Sequence, residues 1–312
     1  MKFIRPLIAV FCVALAGYGQ QEEATFRTDT RLVVLHTTVV DKSGHLVTDL
    51  PKTAFTVLEN RVAQPIRTFK REDLPVSLGL VIDNSGSMKD KRAKVEAAAL
   101  ALVKGSNPQD ETFVVNFNDE AYLDNPGRKD FTSDVRELEQ ALKRIDSRGG
   151  TAMRDALKMS LQHVKGKGKK DKKVLVVITD GNDIASTTTL EELVKTAQQS
   201  GVVIYAIGLL SEEDRGDARK AEHALKEITK ATGGETFLPK DLTEVDRIAQ
   251  MVARDIRSQY TITYSPIKSA MDGTFRAIKV NVKAPGNPSA RTRTGYYATP
   301  DQKAPSGASS FK

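Results

Sequence analysis

The sequence predicts an α/β fold: a doubly wound, mostly parallel sheet flanked by helices, inserted in or flanked by a small β-sandwich built from N- and C-terminal strands. Three observations carry this. Between Leu74 and Arg257, apolar runs such as Val76-Ser77-Leu78-Gly79-Leu80-Val81-Ile82 and Val174-Leu175-Val176-Val177-Ile178 alternate with amphipathic stretches. Continuous runs of that kind belong to strands covered on both faces and joined by crossover helices. On either side of this region the pattern changes to short β-prone runs separated by turn residues. The C-terminal set alone would make a thin sheet with one wet face, so pairing it with the N-terminal set into one sandwich is the lower-energy arrangement.

A length of 312 residues suits about two domains. Residues 1–20 read as a cleaved secretory signal, because Lys2 and Arg5 precede the apolar stretch Leu7 to Ala16 and the small residues Gly17 and Gly19 follow. That stretch is too short to span a bilayer, which takes about twenty residues. A mature chain without a transmembrane segment, secreted into the periplasm or the extracellular space, is therefore expected, with a retained anchor as the competing reading. The one cysteine, Cys12, lies inside the signal and follows Val10 and Phe11, a poor context for lipid attachment. The mature chain then has neither a disulfide nor a thiolate metal site.

Residues 21–73 form the N-terminal β-strand segment. Strands are expected at Leu32 to Val40, Phe55 to Asn60 and Ile66 to Phe69, with a turn at Asp41-Lys42-Ser43-Gly44. The α/β domain is expected over 74–258. Its strands fall at Val76 to Asp83, Thr112 to Phe117, Val174 to Asp180, Val202 to Ile207 and Thr236 to Leu238. Its helices fall at Lys89 to Lys104, Asp134 to Ile145, Ala152 to Val164, Leu190 to Ser200, Asp217 to Thr232 and Leu242 to Arg257. Residues 259–299 return to β character at Tyr260 to Tyr264, Phe275 to Val282 and Arg293 to Tyr297, and are expected to pair with 21–73. The tail, 300–312, is rich in Pro, Gly, Ser and Ala and is expected to be disordered.

Loss of Lys2 and Arg5 lowers the formal charge from +7 to +5, spread over many acids and bases, which does not argue for nucleic acid. The dense cluster Lys165 to Lys173 reads as a solvated connecting loop, with contact to an acidic surface as the competing reading. No aromatic residue interleaves with it to stack on bases.

The residues that carry chemistry gather at strand ends. Asp83-Asn84-Ser85-Gly86-Ser87 follows the first buried strand, Gly149-Gly150-Thr151 precedes a helix, and Asp180-Gly181 closes a second buried strand. In an open doubly wound sheet, ligands collect at the carboxyl edge where strand order reverses. Asp83 and Asp180 are expected there on strands about 5 Å apart. Asp83, Ser85, Ser87, Thr151 and Asp180 are all hard oxygen donors with no His or Cys among them, so the expected guest is Mg²⁺ or Mn²⁺ rather than Zn²⁺. Singly, each fits a helix cap or a turn; jointly, they point to a metal site. Asn118, Asp119 and Asp183 are expected on the rim and not as ligands. The two glycines before Thr151 are expected to let its hydroxyl swing toward or away from the ion.

An enzyme is the rival class. Asp-Asn-Ser lacks the second aspartate of an aspartyl-phosphate phosphatase, and the chain has neither a Gly-x-x-x-x-Gly-Lys loop nor a Gly-x-Ser-x-Gly elbow. His36, His45, His163 and His223 have no evident place beside the carboxylates.

Asp83, Ser85, Ser87, Thr151 and Asp180, with their Ser-Gly-Ser-Met and Thr-Asp-Gly contexts, resemble all five positions of the metal-ion-dependent adhesion site of von Willebrand factor A domains. The flanks, with Val39-Val40-Asp41-Lys42-Ser43-Gly44, Phe55 to Asn60, Gln259-Tyr260 and Gly295-Tyr296, look like the acidobacterial-type von Willebrand factor A-related family of secreted proteins. The resemblance implies a Rossmann-like α/β domain. It also implies hydroxyls of Ser85 and Ser87 directly on the metal, and Thr151 and Asp180 exchanging between direct and water-mediated contact. A partner protein's Glu or Asp carboxylate would complete the shell. The function so implied is a secreted, non-enzymatic, metal-dependent adhesion module. The alternatives are a structural subunit whose metal only stabilises the fold and, behind it, a Mg²⁺-dependent phosphoryl-transfer enzyme.

Overall fold

The computed structural model describes residues 32–105, 107–143, 147–210 and 213–300. The expected signal at 1–20 and all but the first residue of the expected tail lie outside them. The chain opens with β1 (Val33–Val40), β2 (Phe55–Glu59), β3 (Val62–Gln64) and β4 (Ile66–Lys70). It continues through β5 (Val76–Asp83), α1 (Arg92–Lys104), β6 (Glu111–Phe117), β7 (Ala121–Leu123), α2 (Val135–Lys143), α3 (Met153–Lys167), β8 (Lys172–Thr179), α4 (Leu190–Ser200), β9 (Val203–Gly208), α5 (Arg215–Thr232), β10 (Thr236–Phe237) and α6 (Val245–Arg257). It closes with β11 (Tyr260–Tyr264), β12 (Phe275–Val282), β13 (Ser289–Arg291) and β14 (Gly295–Tyr297).

The central sheet has the order β10-β9-β8-β5-β6-β7, parallel throughout except for the antiparallel edge strand β7. Every residue of β5 is buried, as a strand covered on both faces requires. One face packs on α1, α2 and α6 through residues such as Leu80, Val176, Leu102, Leu138 and Val252. The other packs on α3, α4 and α5 through Val81, Val177, Leu157, Leu193 and Ile228. Helix ends follow local chemistry. Thr189 and Glu192 close a reciprocal capping box on α4, and Gly201 ends that helix at φ +72°, a conformation that disfavours residues with a Cβ.

The flanking strands build two four-stranded sheets, β13-β1-β11-β4 and β14-β12-β2-β3. Strands from before and after the α/β region are partners in both: Leu35 lies opposite Ile262, and Val57 opposite Val280. Val33, Leu35 and Ile262 from one sheet share a core with Val57, Val280 and Tyr296 from the other. This is a face-to-face sandwich. It is tied to α6 and β9 by a polar knot in which Thr38 Oγ1 donates to Asp255 Oδ1 at 2.6 Å, Arg291 pairs with Asp255, and Gln259 Nε2 donates to Tyr205 Oη at 3.2 Å.

The lysine cluster departs from the expected solvated loop. Its early members close α3, but Lys172 begins β8 and is buried, with its ammonium donating to the carbonyl of Ile256 in the last turn of α6. A cation at a helix carboxyl end is favoured by unpaired carbonyls and by the dipole. Burial still holds the Lys172 pKa down to about 8.

His36 supplies an acid-sensitive point. Its Nδ1 is sealed from solvent without a hydrogen-bond partner. Burial first, then the charges of Lys172 and Arg293, hold its pKa down to about 3. The folded ring therefore stays neutral while the unfolded ring takes a proton below its ordinary pKa of 6.5, so the stability present above that pH drains as pH falls toward 3. Between pH 6.5 and 4.5 the loss from this one group is about 2 kcal/mol. Urea unfolding at the two pH values should show His36→Phe losing less than wild type by about that amount; equal losses would assign the acid sensitivity elsewhere.

Candidate metal centre

Parallel pairing of β5 with β8 places Ile82 opposite Ile178. Asp83, the last residue of β5, and Asp180, the residue after β8, thereby share one end of the sheet, between the strands where the order reverses. Both are sealed from solvent, Asp83 at 1% and Asp180 at 0% exposure.

The turn after Asp83 is pinned on two sides. The Asn84 amide donates to Phe117 O at 2.7 Å and its side chain to Asn116 Oδ1 at 3.1 Å. From the other side, the Arg148 amide donates to Asn84 O at 3.0 Å, and the Gly86 amide to Gly149 O at 3.2 Å. This last bond couples the turn to the glycine pair before Thr151. Gly149 stands at φ +75°, and a Cβ there would come within 2.1 Å of Asp119 Oδ2, so only glycine fits. Asp119 Oδ1 accepts the Gly150 amide at 2.7 Å. The pair read from sequence as a source of freedom is thus a fastened segment, and Thr151 is held in place. Its carbonyl accepts the amides of Ile184 and Ala185 at 3.1 Å each. Its Oγ1 lies 4.0 Å from the point where a side chain at Gly181 would begin.

Four residues of the predicted set, Asp83, Ser85, Ser87 and Asp180, meet in a row. Ser85 Oγ and Ser87 Oγ are 3.1 Å apart, and Ser87 Oγ donates to Asp180 Oδ1 at 2.9 Å. Asp83 Oδ1 accepts the Ser85 amide at 2.8 Å, and its Oδ2 accepts Thr179 Oγ1 at 2.5 Å. Burial pushes the Asp83 pKa up to about 6, against the lowering effect of Thr179 and Ser85 and with a smaller upward push from Asp180. A buried carboxylate in that state gains from a nearby positive charge. Among the described residues no group of three or more His, Cys, Asp or Glu side chains converges to cage a metal. A cation here would be held by hydroxyl and carboxylate oxygens together, a donor set that suits a hard divalent ion.

Three neighbours escaped the sequence reading. Thr179 ends β8 and donates to Asp83. Lys91 is buried, and its Nζ donates to Asp180 Oδ2 at 2.7 Å. Glu213 has its pKa raised by burial, then by the charge of Asp180, with Lys91 opposing. Lys91 left one faint signal, a lysine at the amino end of a helix, where the dipole disfavours cations. The expected rim residues form internal contacts: Asp119 holds Gly150, Asp183 accepts the Arg154 amide at 2.7 Å, and the Asn118 carbonyl accepts the Ala152 amide at 2.7 Å. Ile184 stands beside them at 76% exposure. The histidines lie elsewhere. His163 stacks on Phe131, His45 pairs with Asp41, His36 sits in the sandwich, and His223 is exposed on α5.

The family model of the von Willebrand factor type A domain matches residues 78–251. An uncharacterized protein of Synechocystis sp. is 28% identical over 138 residues, 43% of this chain and 32% of that protein. The chain thus spans about a third of that curated relative. Among solved structures, a von Willebrand factor type A protein from Catenulispora acidiphila superposes with a TM-score of 0.51 at 14% identity, covering 88% of this chain and 76% of that one. Proximal thread matrix protein 1 from the mussel byssus, with a zinc-occupied metal-ion-dependent adhesion site, gives a TM-score of 0.50 at 19% identity, over 64% of this chain and 49% of that one. At these identities the likeness is one of fold. Among the described residues no helix is long and apolar enough to cross a membrane.

Proposed function

The chain belongs to the von Willebrand factor type A domain family, and on that premise we propose that it is an exported, non-enzymatic module that captures a partner protein's Glu or Asp carboxylate through a divalent cation. Domains of this family are generally interaction modules. The cation, Mg²⁺ or Mn²⁺, would be held by Asp83, Ser85, Ser87, Thr151 and Asp180. The observation that carries the reading is the row from buried Asp83 and Ser85 through the exposed Ser87 to buried Asp180. Its oxygens suit a hard cation, and its carboxylates gain from one. A structural neighbour with a metal in its own adhesion site supports a divalent ion in this fold.

When bound, the ion supplies an electrophilic position for an outside carboxylate. The protein's own residues do the rest. Asp83 brings charge, and Ser85 and Ser87 orient hydroxyls across the strand end. Thr151 comes in from the fastened glycine segment. Ile184, exposed beside Thr151, offers an apolar contact to the partner around the charged centre. Export rests on the N-terminal segment 1–20, whose basic start and apolar stretch read as a secretory signal.

Affinity capture from the native extracellular or periplasmic fraction, with Mg²⁺ and with chelator, tests the proposal. Partners retained only with Mg²⁺ and lost in an Asp83→Ala protein are expected. Metal binding without any metal-dependent partner would favour a purely structural ion. Thr151→Ala refines the test. Four oxygen-bearing residues remain and water can replace the fifth, so Mg²⁺ affinity should fall about tenfold or less, about 1.4 kcal/mol. Capture of a carboxylate-bearing partner should fall further. Parallel titrations showing equal losses would make the Thr151 hydroxyl a ligand of the ion with no further part in partner capture.

A further inference from the structure

Lys91 sits on the turn between Ser87 and α1, at the amino end of that helix. The helix dipole opposes a cation there, and the side chain is only 8% exposed beside an Asp180 carboxylate at 0%, so desolvation opposes it as well. Asp180 helps hold it there, its Oδ2 accepting Nζ at 2.7 Å. The other oxygen, Oδ1, accepts Ser87 at 2.9 Å. The carboxylate is divided, with one edge given to the ammonium and one to the hydroxyl row that leads through Ser85 toward Asp83.

From this geometry we infer that Lys91 sets the charge of the cation site: it keeps one edge of Asp180 from the divalent ion, which weakens the ion's binding and preserves its attraction for an outside carboxylate. The inference rests on the proposed reading of the site and gives a role to a residue which that reading does not use. Charge counting supports it. Asp83 and Asp180 together neutralise a divalent ion, and a neutral centre attracts an anion weakly. Glu213 lies close enough to feel both Asp180 and Lys91, so removing Lys91 makes the surroundings of the ion one unit more negative, in a place where Coulomb terms are large. Lys91 is therefore a positioning residue with opposite effects on two ligands, repelling the cation and favouring the anion that follows it.

The test uses wild type, Lys91→Met and Lys91→Arg. Each is titrated calorimetrically with Mg²⁺ alone, and then, at saturating Mg²⁺, with a short peptide carrying one glutamate. Lys91→Met should bind Mg²⁺ about tenfold more tightly than wild type and the peptide about tenfold more weakly. Its chelated form should melt lower than wild type, because Asp180 loses its partner, and Mg²⁺ should raise that melting temperature more than it raises the wild type's. Lys91→Arg, which keeps the charge, should behave as wild type in both titrations. Lys91→Gln keeps a donor for Asp180 without the charge; it should show the same tightening, and it covers a Met variant that does not fold. A variant without the charge that binds Mg²⁺ no more tightly than wild type, or that loses both ligands together, overturns the inference and leaves the cation site standing. Failure of wild type to bind Mg²⁺ overturns the proposed function itself, and this inference with it.

Discussion

Replacing Asp83 by alanine is expected to abolish divalent-cation binding while the fold stays intact. The carboxylate ends β5 at the one edge where the hydroxyls of Ser85 and Ser87 and the carboxylate of Asp180 gather. Without it the site keeps one carboxylate, already shared between Lys91 and Ser87. A loss of Mg²⁺ affinity of at least a hundredfold follows, about 2.7 kcal/mol. The fold should tolerate the change because the two cores on the sheet faces do not use this side chain. Thr179 and the Ser85 amide lose an acceptor at about 1 kcal/mol each. Against that, the variant no longer buries a carboxylate whose pKa is pushed up to about 6, a charge whose burial costs about 3 kcal/mol at neutral pH. Calorimetry reads the metal and circular dichroism reads the fold. Unchanged Mg²⁺ affinity would remove the site.

The largest stability effect lies far from the metal, in the sandwich. Glu59 at 3% exposure and Arg276 at 1% form an ion pair inside it. Glu59 Oε2 accepts the hydroxyls of Tyr264 at 2.7 Å and Tyr296 at 2.9 Å. Arg276 also donates to the carbonyls of Lys268 and Ala270 and to Asp272. Glu59 lies on β2, Tyr264 on β11, Arg276 on β12 and Tyr296 on β14, so one carboxylate links strands from both ends of the chain. Glu59→Ala takes the carboxylate acceptor from two buried phenols and removes one of the guanidinium's two carboxylate partners, and should cost about 2–4 kcal/mol. Thermal unfolding followed by near-ultraviolet dichroism of the tyrosines checks this. A loss below about 1 kcal/mol would class the pair with exposed ion pairs of little worth.

Much of this architecture was legible because burial on both faces writes itself as unbroken apolar runs. Val76 to Ile82 and Val174 to Ile178 read as central strands, and they pair in parallel at the centre of the sheet. The interleaving of terminal strands followed from the poor burial available to either set alone. Strands β3, β7 and β13 did not show, since three residues carry no periodicity and Tyr122 and Leu123 on β7 stay largely exposed. The oxygen set was visible as residue types at strand ends. Its wiring was not. Whether Gly149 frees or fastens its neighbours depends on Asp119, thirty residues earlier in the chain, and the pairing of Lys91 with Asp180 spans 89 positions. Lys172 looked like one more solvated lysine until its carbonyl partner on α6 was in view.

Binding of a carboxylate through the cation is the central claim, and one titration tests it directly. A glutamate-bearing peptide is added to the protein in Mg²⁺, in chelator, and in Mg²⁺ with Asp83→Ala. Saturable binding in the first condition alone is predicted. Binding that persists in chelator or in the Asp83→Ala protein would contradict it.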